Sequence, residues 1–303
     1  MKKVLVLYYS QTGQLQSILN SFVSKLGDDE ICVDMKSIKP KKKYPFPWPF
    51  YTFFDEFPES VFLDGCEIEE IENLDEQYDL IILGYTVWYM APSIPVTAFM
   101  HSAQAKKLFK NKPVVTVIAC RDMWVLAQEK MKDMLNALDA RLIDNVALTD
   151  QGGEVLSLIT LPTYMLTGKK NYFSFLPPAG IKEEDIVACS RFGERLNKAL
   201  KEDKEKGSEP MLTNLGAAVV NAKLIATEKI ATRSFRIWSR FIKFAGEKYS
   251  VGRKIAITIY VVFLLLLILT VIPLNIISRK IVNIFNKKKL RAMEEYYELP
   301  SGR

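Results

Sequence analysis

The chain has a single histidine, His101, among 303 residues, so neither a Ser–His–Asp triad nor a histidine-rich metal site is expected. Four cysteines, Cys32, Cys66, Cys120 and Cys189, are scattered with no CxxC spacing. That excludes a zinc ribbon and a disulfide framework and suits a reducing compartment. The sequence has no Walker A loop and no GxGxxG, so neither of the common nucleotide signatures is present. No signal peptide is expected, because an apolar strand begins at residue 3 or 4. No internal repeat is visible. A net charge of +6 is modest for this length, and the basic residues cluster beyond residue 220. No nucleic-acid partner and no metal are expected. The length allows one large domain or two small ones.

What is present starts at once. Val4-Leu5-Val6-Leu7-Tyr8-Tyr9 is a near-continuous apolar run, which reads as a strand buried on both faces. A polar turn follows, Ser10-Gln11-Thr12-Gly13-Gln14, and then Leu15, Ile18, Leu19, Phe22, Val23 and Leu26 recur at helical spacing. Strand, hydroxyl-rich loop and helix N-terminus together suit a phosphate. Free amides and the positive helix end favour an anion, and Gly13 allows close approach. The plainer alternative is an ordinary turn capped by Ser and Thr.

The rest of the chain alternates. Asp29–Met35 reads as a second strand, Leu80–Gly84 as a third, Val114–Ala119 as a fourth and Leu142–Leu148 as a fifth. Helices are expected from Ser93 to Pro95 onward, after Trp124 to about Leu138, and over Ile181–Leu200. This order implies a doubly wound α/β sheet of five parallel strands. Ligands of such sheets sit at the carboxyl ends of the strands. The loops 10–15, 85–93 and 119–124 all follow strands and fall on that edge.

Those three loops together resemble the flavodoxin-like flavoproteins, a family that includes NAD(P)H-dependent FMN reductases and quinone reductases. The family's phosphate loop is approximated by Ser10, Gln11, Thr12, Gly13, Gln14 and Leu15. Its loop beside the isoalloxazine is approximated by Gly84 to Ser93, and its third loop corresponds in order to Cys120-Arg121-Asp122-Met123-Trp124. One departure is Thr86, where many relatives have proline. The resemblance covers about residues 1–200. It implies a flavodoxin-like fold and FMN as cofactor, with NAD(P)H as a second cofactor under a reductase reading. The cofactor-binding residues it implies are those of the phosphate loop, then Thr86, Val87, Trp88, Tyr89 and Met90, then Cys120, Arg121, Asp122 and Trp124. Trp88 and Tyr89 would offer an aromatic face to the flat ring, and backbone groups of 86–90 and 120–122 would bond its edge. Trp88 also reads as a core aromatic at a strand end, and Arg121 with Asp122 as a local ion pair. Candidate proton acceptors, by loop position only, are Tyr85, Tyr89 and Asp122.

Two insertions depart from that family's compact form. Pro40–Phe62 holds five prolines and many aromatics, among them Tyr44, Phe46, Trp48, Phe53 and Phe57. Proline at this density argues against a regular helix or central strand, and the aromatics must pack on something. The stretch 150–180 is apolar and aromatic again, interrupted by Pro162, Gly168, Pro177 and Pro178. Either stretch reads as a wall over a flat apolar ligand or as a membrane or partner contact.

The charged run Lys201–Pro210 reads as a linker, placing a flavin domain over 1–205 and a tail beyond it. The tail divides into a basic amphipathic region (206–254), an uncharged segment (255–277) and a basic end (278–303). Residues 255–277 carry no charge over 23 positions, enough to cross most of a bilayer's hydrocarbon core of roughly 30 Å. Both flanks are basic, so orientation is undecided, and a single span and a monotopic insertion both remain open. The expected location is the cytoplasmic face of the inner cell membrane, held by this segment.

A tethered flavoprotein makes sense when its substrate lives in the membrane. Expected partners are therefore membrane lipid, an apolar small-molecule substrate, and other enzymes of a lipid or pigment pathway. The opening and the basic tail resemble the dialkylresorcinol-condensing enzymes of bacterial aryl-polyene and flexirubin pathways. That resemblance implies oxidative aromatisation of a long-chain cyclohexanedione. The alternatives are an NAD(P)H-dependent quinone or FMN reductase and a flavin-free membrane scaffold.

Overall fold

A computed structural model of the chain describes residues 1–74, 77–285 and 287–301, with side chains placed at all of these except 155 and 271–287. In chain order the elements begin β1 (Lys2–Tyr8), α1 (Gln14–Val23), β2 (Ile31–Ser37), α2 (Phe50–Asp55), α3 (Phe57–Phe62), β3 (Leu80–Trp88) and β4 (Ala91–Pro92). They continue α4 (Ile94–Met100), α5 (Ala103–Leu108), β5 (Pro113–Cys120), α6 (Val125–Ala137), β6 (Arg141–Thr149), α7 (Gly153–Thr167), α8 (Glu183–Ala188) and α9 (Ser190–Lys201). The tail forms α10 (Ala222–Phe244), α11 (Val251–Phe285) and α12 (Lys287–Glu298).

The five expected strands form one parallel sheet in the order β2-β1-β3-β5-β6, and the two-residue β4 pairs antiparallel with the end of β3. This strand order is that of a flavodoxin-like doubly wound fold. Alternation along the buried strands divides the core. Val4, Val6, Leu80 and Ile82 face α1, α8 and α9, where Phe22 stacks on Phe192 at 6.0 Å. Leu5, Leu7, Ile81 and Leu83 face α4, α5 and α6. Each fully buried Leu, Ile or Phe contributes roughly 1.5–3 kcal/mol relative to exposure.

The structure departs from expectation in two segments. The proline-rich stretch 40–62 does form helix, as α2 and α3. Pro49 sits before the first residue of α2 and Pro58 lies in the first turn of α3. There the missing N–H has no intrahelical partner to lose. The run 201–210 closes α9 and passes through a short 3-10 turn (Lys204–Lys206) on the surface of the same unit. Met211, Leu212 and Ala217 are buried in the first core, and Ala218, Val220, Ala222 and Ile225 in the second. Asp144 of β6 accepts the Met211 and Leu212 amides at 2.8 and 3.1 Å. The fold therefore continues through the position expected to end it, and truncation after 205 removes core.

The tail helices pack on that unit. α10 and α11 run antiparallel, with Trp238 against Tyr260 at 5.4 Å and Phe263 at 4.8 Å. Leu290, Met293 and Tyr297 of α12 lie on the second core. Among the described residues one stretch, Val251–Thr270, is long and apolar enough to cross a membrane, with mean hydropathy 2.2 over 20 residues. For the expected segments 255–277 and 278–303, residues 286, 302 and 303 and the side chains of 271–287 lie outside the described residues.

Candidate functional site

Parallel pairing brings the ends of β1, β3, β5 and β6 to one edge, with Tyr8 opposite Gly84, Thr86 opposite Ala119 and Cys120 opposite Thr149. The loops after these strands therefore converge. In the first, Gly13 adopts φ +84°, a left-handed conformation, with open space where a Cβ would stand. The first intrahelical bond of α1 runs from the Ser17 amide to Gly13 O, and the Gln16 amide donates to Ser10 Oγ at 3.3 Å. The earlier amides of the turn have no intrahelical acceptor, as at any helix start. Thr12 lies beside the Tyr164 hydroxyl of α7. Gly180 approaches so closely that a Cβ there would lie 2.6 Å from Gln14 Nε2.

The second loop is a tight hairpin. Trp88 pairs with Ala91, so Tyr89 and Met90 form a two-residue turn with φ of 48° and 63°. Both are positive, as a twist-matched turn requires, although neither residue is the glycine or asparagine that tolerates it. Left-handed backbone costs a non-glycine residue about 1–2 kcal/mol. Three contacts hold the turn: Tyr89 Oη donates to Phe53 O at 2.6 Å, Ser60 Oγ to Trp88 O at 2.8 Å, and Lys130 Nζ to Met90 O at 2.9 Å. Burial lowers the Lys130 ammonium to about 8.

The third loop carries the titratable groups. Burial pushes the Asp122 carboxyl up to about 6, even with the Arg121 guanidinium beside it. Arg121 Nη2 donates to Glu154 O at 3.3 Å rather than closing an ion pair on Asp122. Burial likewise raises the Cys120 thiol. A fourth loop joins the third through Asp150, whose amide donates to Cys120 O and Arg121 O and whose carboxylate accepts the Gly152 and Gly180 amides.

Over this edge lie the two insertions, packed on each other. The Trp48 amide donates to Met165 O at 2.8 Å, Phe46 packs edge-on to Tyr164 at 5.1 Å, and Gln11 Nε2 donates to Pro45 O at 2.9 Å. Trp88 meets Tyr9, Tyr44 and Trp48 nearly at right angles, at 6.0, 5.1 and 5.6 Å. The insertions thus make an aromatic cover anchored to the first loop.

The sequence-derived residues separate cleanly. Ser10, Gln11, Thr12, Gly13, Gln14, Thr86, Val87, Trp88, Tyr89, Met90, Cys120, Arg121 and Asp122 are all partly exposed along this edge. Leu15 and Trp124 are not at the edge's surface: each is at most 2% exposed, packed in the first and second cores respectively. Tyr85 is fully buried on the α6 side, donating to Gln128 Oε1 at 2.5 Å. Burial raises the Tyr85 and Tyr89 hydroxyls well above their ordinary range, so both hold their protons at neutral pH. Of the three candidate proton acceptors, Asp122 alone is a carboxyl titrating near neutrality. Sequence reasoning missed Ser60, Lys130, Asp150 and Tyr164. Only Asp150 carried a signal, its place directly after a strand.

Neither a family model nor a curated protein matches the chain. Solved structures do. A flavoprotein in complex with FMN from Lactobacillus acidophilus NCFM is 22% identical over 48% of this chain and 93% of that one, with a TM-score of 0.41. An oxidised flavodoxin from Bacillus cereus is 15% identical over 63% and 95%, with a TM-score of 0.35. A flavone reductase is 10% identical over 69% and 66%, with a TM-score of 0.38. The chain has a flavodoxin-like fold, a statement that rests on its own strand order.

Three buried polar atoms near the edge have no partner among the described residues: Gln11 Oε1, Trp48 Nε1 and Asp122 Oδ2. Two are acceptors and one is a donor. Such atoms are costly unless something pairs them. A flavin mononucleotide fits this set, because its ring edge offers both an N–H and carbonyl oxygens. Its phosphate suits the open amide turn at Gly13.

Proposed function

We propose that the chain is an FMN-dependent oxidoreductase acting at a membrane surface on an apolar cyclic diketone or quinone, with oxidative aromatisation of a long-chain cyclohexanedione to a dialkylresorcinol as its reaction. The observation carrying the reading is the aromatic cover of Tyr44, Trp48 and Phe53 laid over the Trp88–Met90 turn, beside a phosphate-suited loop. An electron shuttle serving protein partners has no need of such a cover. A greasy ring system does.

Ser10, Thr12 and the first-turn amides of α1 would hold the phosphate. Trp88 would offer its face to the flat ring. Bound FMN would supply reversible hydride acceptance. The cover would exclude water from the reacting carbon. Aromatising a cyclohexanedione removes two hydrogens, one as hydride and one as a proton. Asp122 would take the proton: its carboxyl near 6 is mostly ionised at neutral pH and basic enough to accept. Molecular oxygen or a quinone would take the two electrons and two protons, leaving hydrogen peroxide or the quinol.

The test incubates the full chain, extracted in mild detergent, with an alkylcyclohexane-1,3-dione and follows resorcinol by mass spectrometry. Resorcinol should form, and Asp122→Asn should slow it about 100-fold, with flavin per chain measured in the same variant to separate loss of the base from loss of the cofactor. NAD(P)H oxidation with a quinone and no resorcinol would assign the reductase instead. A colourless chain inactive in both assays would leave the scaffold.

A further inference from the structure

α11 is tied to the same α/β unit at both ends. Near its start Arg253 is 3% exposed and its Nη2 donates to Asp55 O and Glu59 Oε2, both at 2.6 Å. Two turns on, Tyr260 stacks on Phe57 at 4.7 Å and 8°. Beyond its far end, α12 lays Leu290, Met293 and Tyr297 on the second core. Glu298 Oε1 accepts the Val220 amide at 3.4 Å, and Ser301 Oγ accepts the Asn145 amide and donates to Asp144 Oδ1. A helix that crosses a bilayer delivers its ends to opposite faces. These contacts require both ends on one face.

The outer side of the hairpin is built for an interface. Ile255, Ile259, Val262, Leu266 and Leu269 are exposed at spacings of one helical turn, opposite the buried Ala256, Ile257 and Tyr260. On α10, Ile230, Ile237, Phe241 and Phe244 form a second exposed stripe, with Phe244 91% exposed. Arg233, Arg236, Arg240 and Lys254 are exposed among these residues. Apolar stripes set among arginine and lysine suit a lipid surface carrying negative headgroups.

We infer that the protein attaches in-plane to an anionic lipid surface, the α10–α11 hairpin lying in the interface while the α/β unit and α12 stay on the same side of the bilayer. This deepens the membrane reading above and rests on it.

The test synthesises the full chain outside sealed vesicles of phosphatidylglycerol and phosphatidylcholine, or of phosphatidylcholine alone. A membrane-impermeant maleimide then reports accessibility. Cys32, exposed on β2, is the internal reference for the outer side. Ala292→Cys, at an exposed position of α12, reports the C-terminal side. Binding should favour the anionic vesicles, and position 292 should label as fast as Cys32. Ile259→Asp with Leu266→Asp should weaken vesicle binding about tenfold or more while flavin content stays unchanged. Protection of position 292 until detergent is added would overturn the in-plane arrangement and leave membrane attachment standing. Failure of the full chain to bind either vesicle would overturn the membrane reading itself, and a dimer in solution would then assign the stripes to a second copy.

Discussion

Single residues at the strand edge show how much of the site was legible. Ser10, Thr12, Gly13, Trp88 and Asp122 could be placed because each directly follows an apolar run, and the carboxyl ends of parallel strands meet. Ser60 and Lys130 could not: they steady the Tyr89–Met90 turn from elements 28 and 40 positions away in sequence. Leu15 and Trp124 follow the same strand-end rule yet point into the cores, because helical periodicity rather than loop position governs them. Buried acids also leave a mark on stability. Burial lifts Asp144 from an ordinary 3.8 to about 6, although two amides and Ser301 bond its charged form. Between those values the folded chain holds more protons than the unfolded one, so stability falls as pH rises through the window. For one such group the effect is on the order of 3 kcal/mol. Glu228, lifted to about 7 by burial, acts in the same sense. Thermal unfolding between about pH 4 and pH 8 should therefore show a declining Tm, and Asp144→Asn should flatten the decline. An identical pH slope in the variant would remove Asp144 from this account.

At the scale of elements, composition misled where local chemistry was right. Five prolines within 40–62 argued against helix, yet two of them simply start helices there. The charged run 201–210 read as a linker because of its charge, and all its charged side chains but the buried Glu205 are solvated. Its ion pairs, such as Lys206 to Asp203 at 2.8 Å, lie on the surface of the same unit, and the apolar segment after it returns to the core. α10 then places Glu228 against the start of α6, where it accepts the Leu126 amide at 2.7 Å. The tail is therefore expected to help build the site as well as locate it. A chain ending at residue 205 should be insoluble or unable to retain flavin, with loss of a cooperative transition in circular dichroism. A soluble, yellow 1–205 fragment would restore the simpler division into domain and anchor.

The whole molecule joins three layers: an α/β sandwich with a phosphate-suited edge, an aromatic cover over that edge, and a helical hairpin resting on the cover. Phe57 links the last two, meeting Tyr89 at 5.2 Å and Tyr260 at 4.7 Å. This arrangement makes one claim above the others, that the edge holds FMN. The measurement is mass spectrometry of the small molecule released on denaturing the full-length protein, alongside the flavin absorbance per chain of Thr12→Glu. The native protein should release FMN at close to one per chain. The variant should release almost none, since it sets a carboxylate beside a dianion in a poorly solvated turn. A colourless native protein, FAD as the sole flavin, or unchanged FMN in the variant would contradict the account.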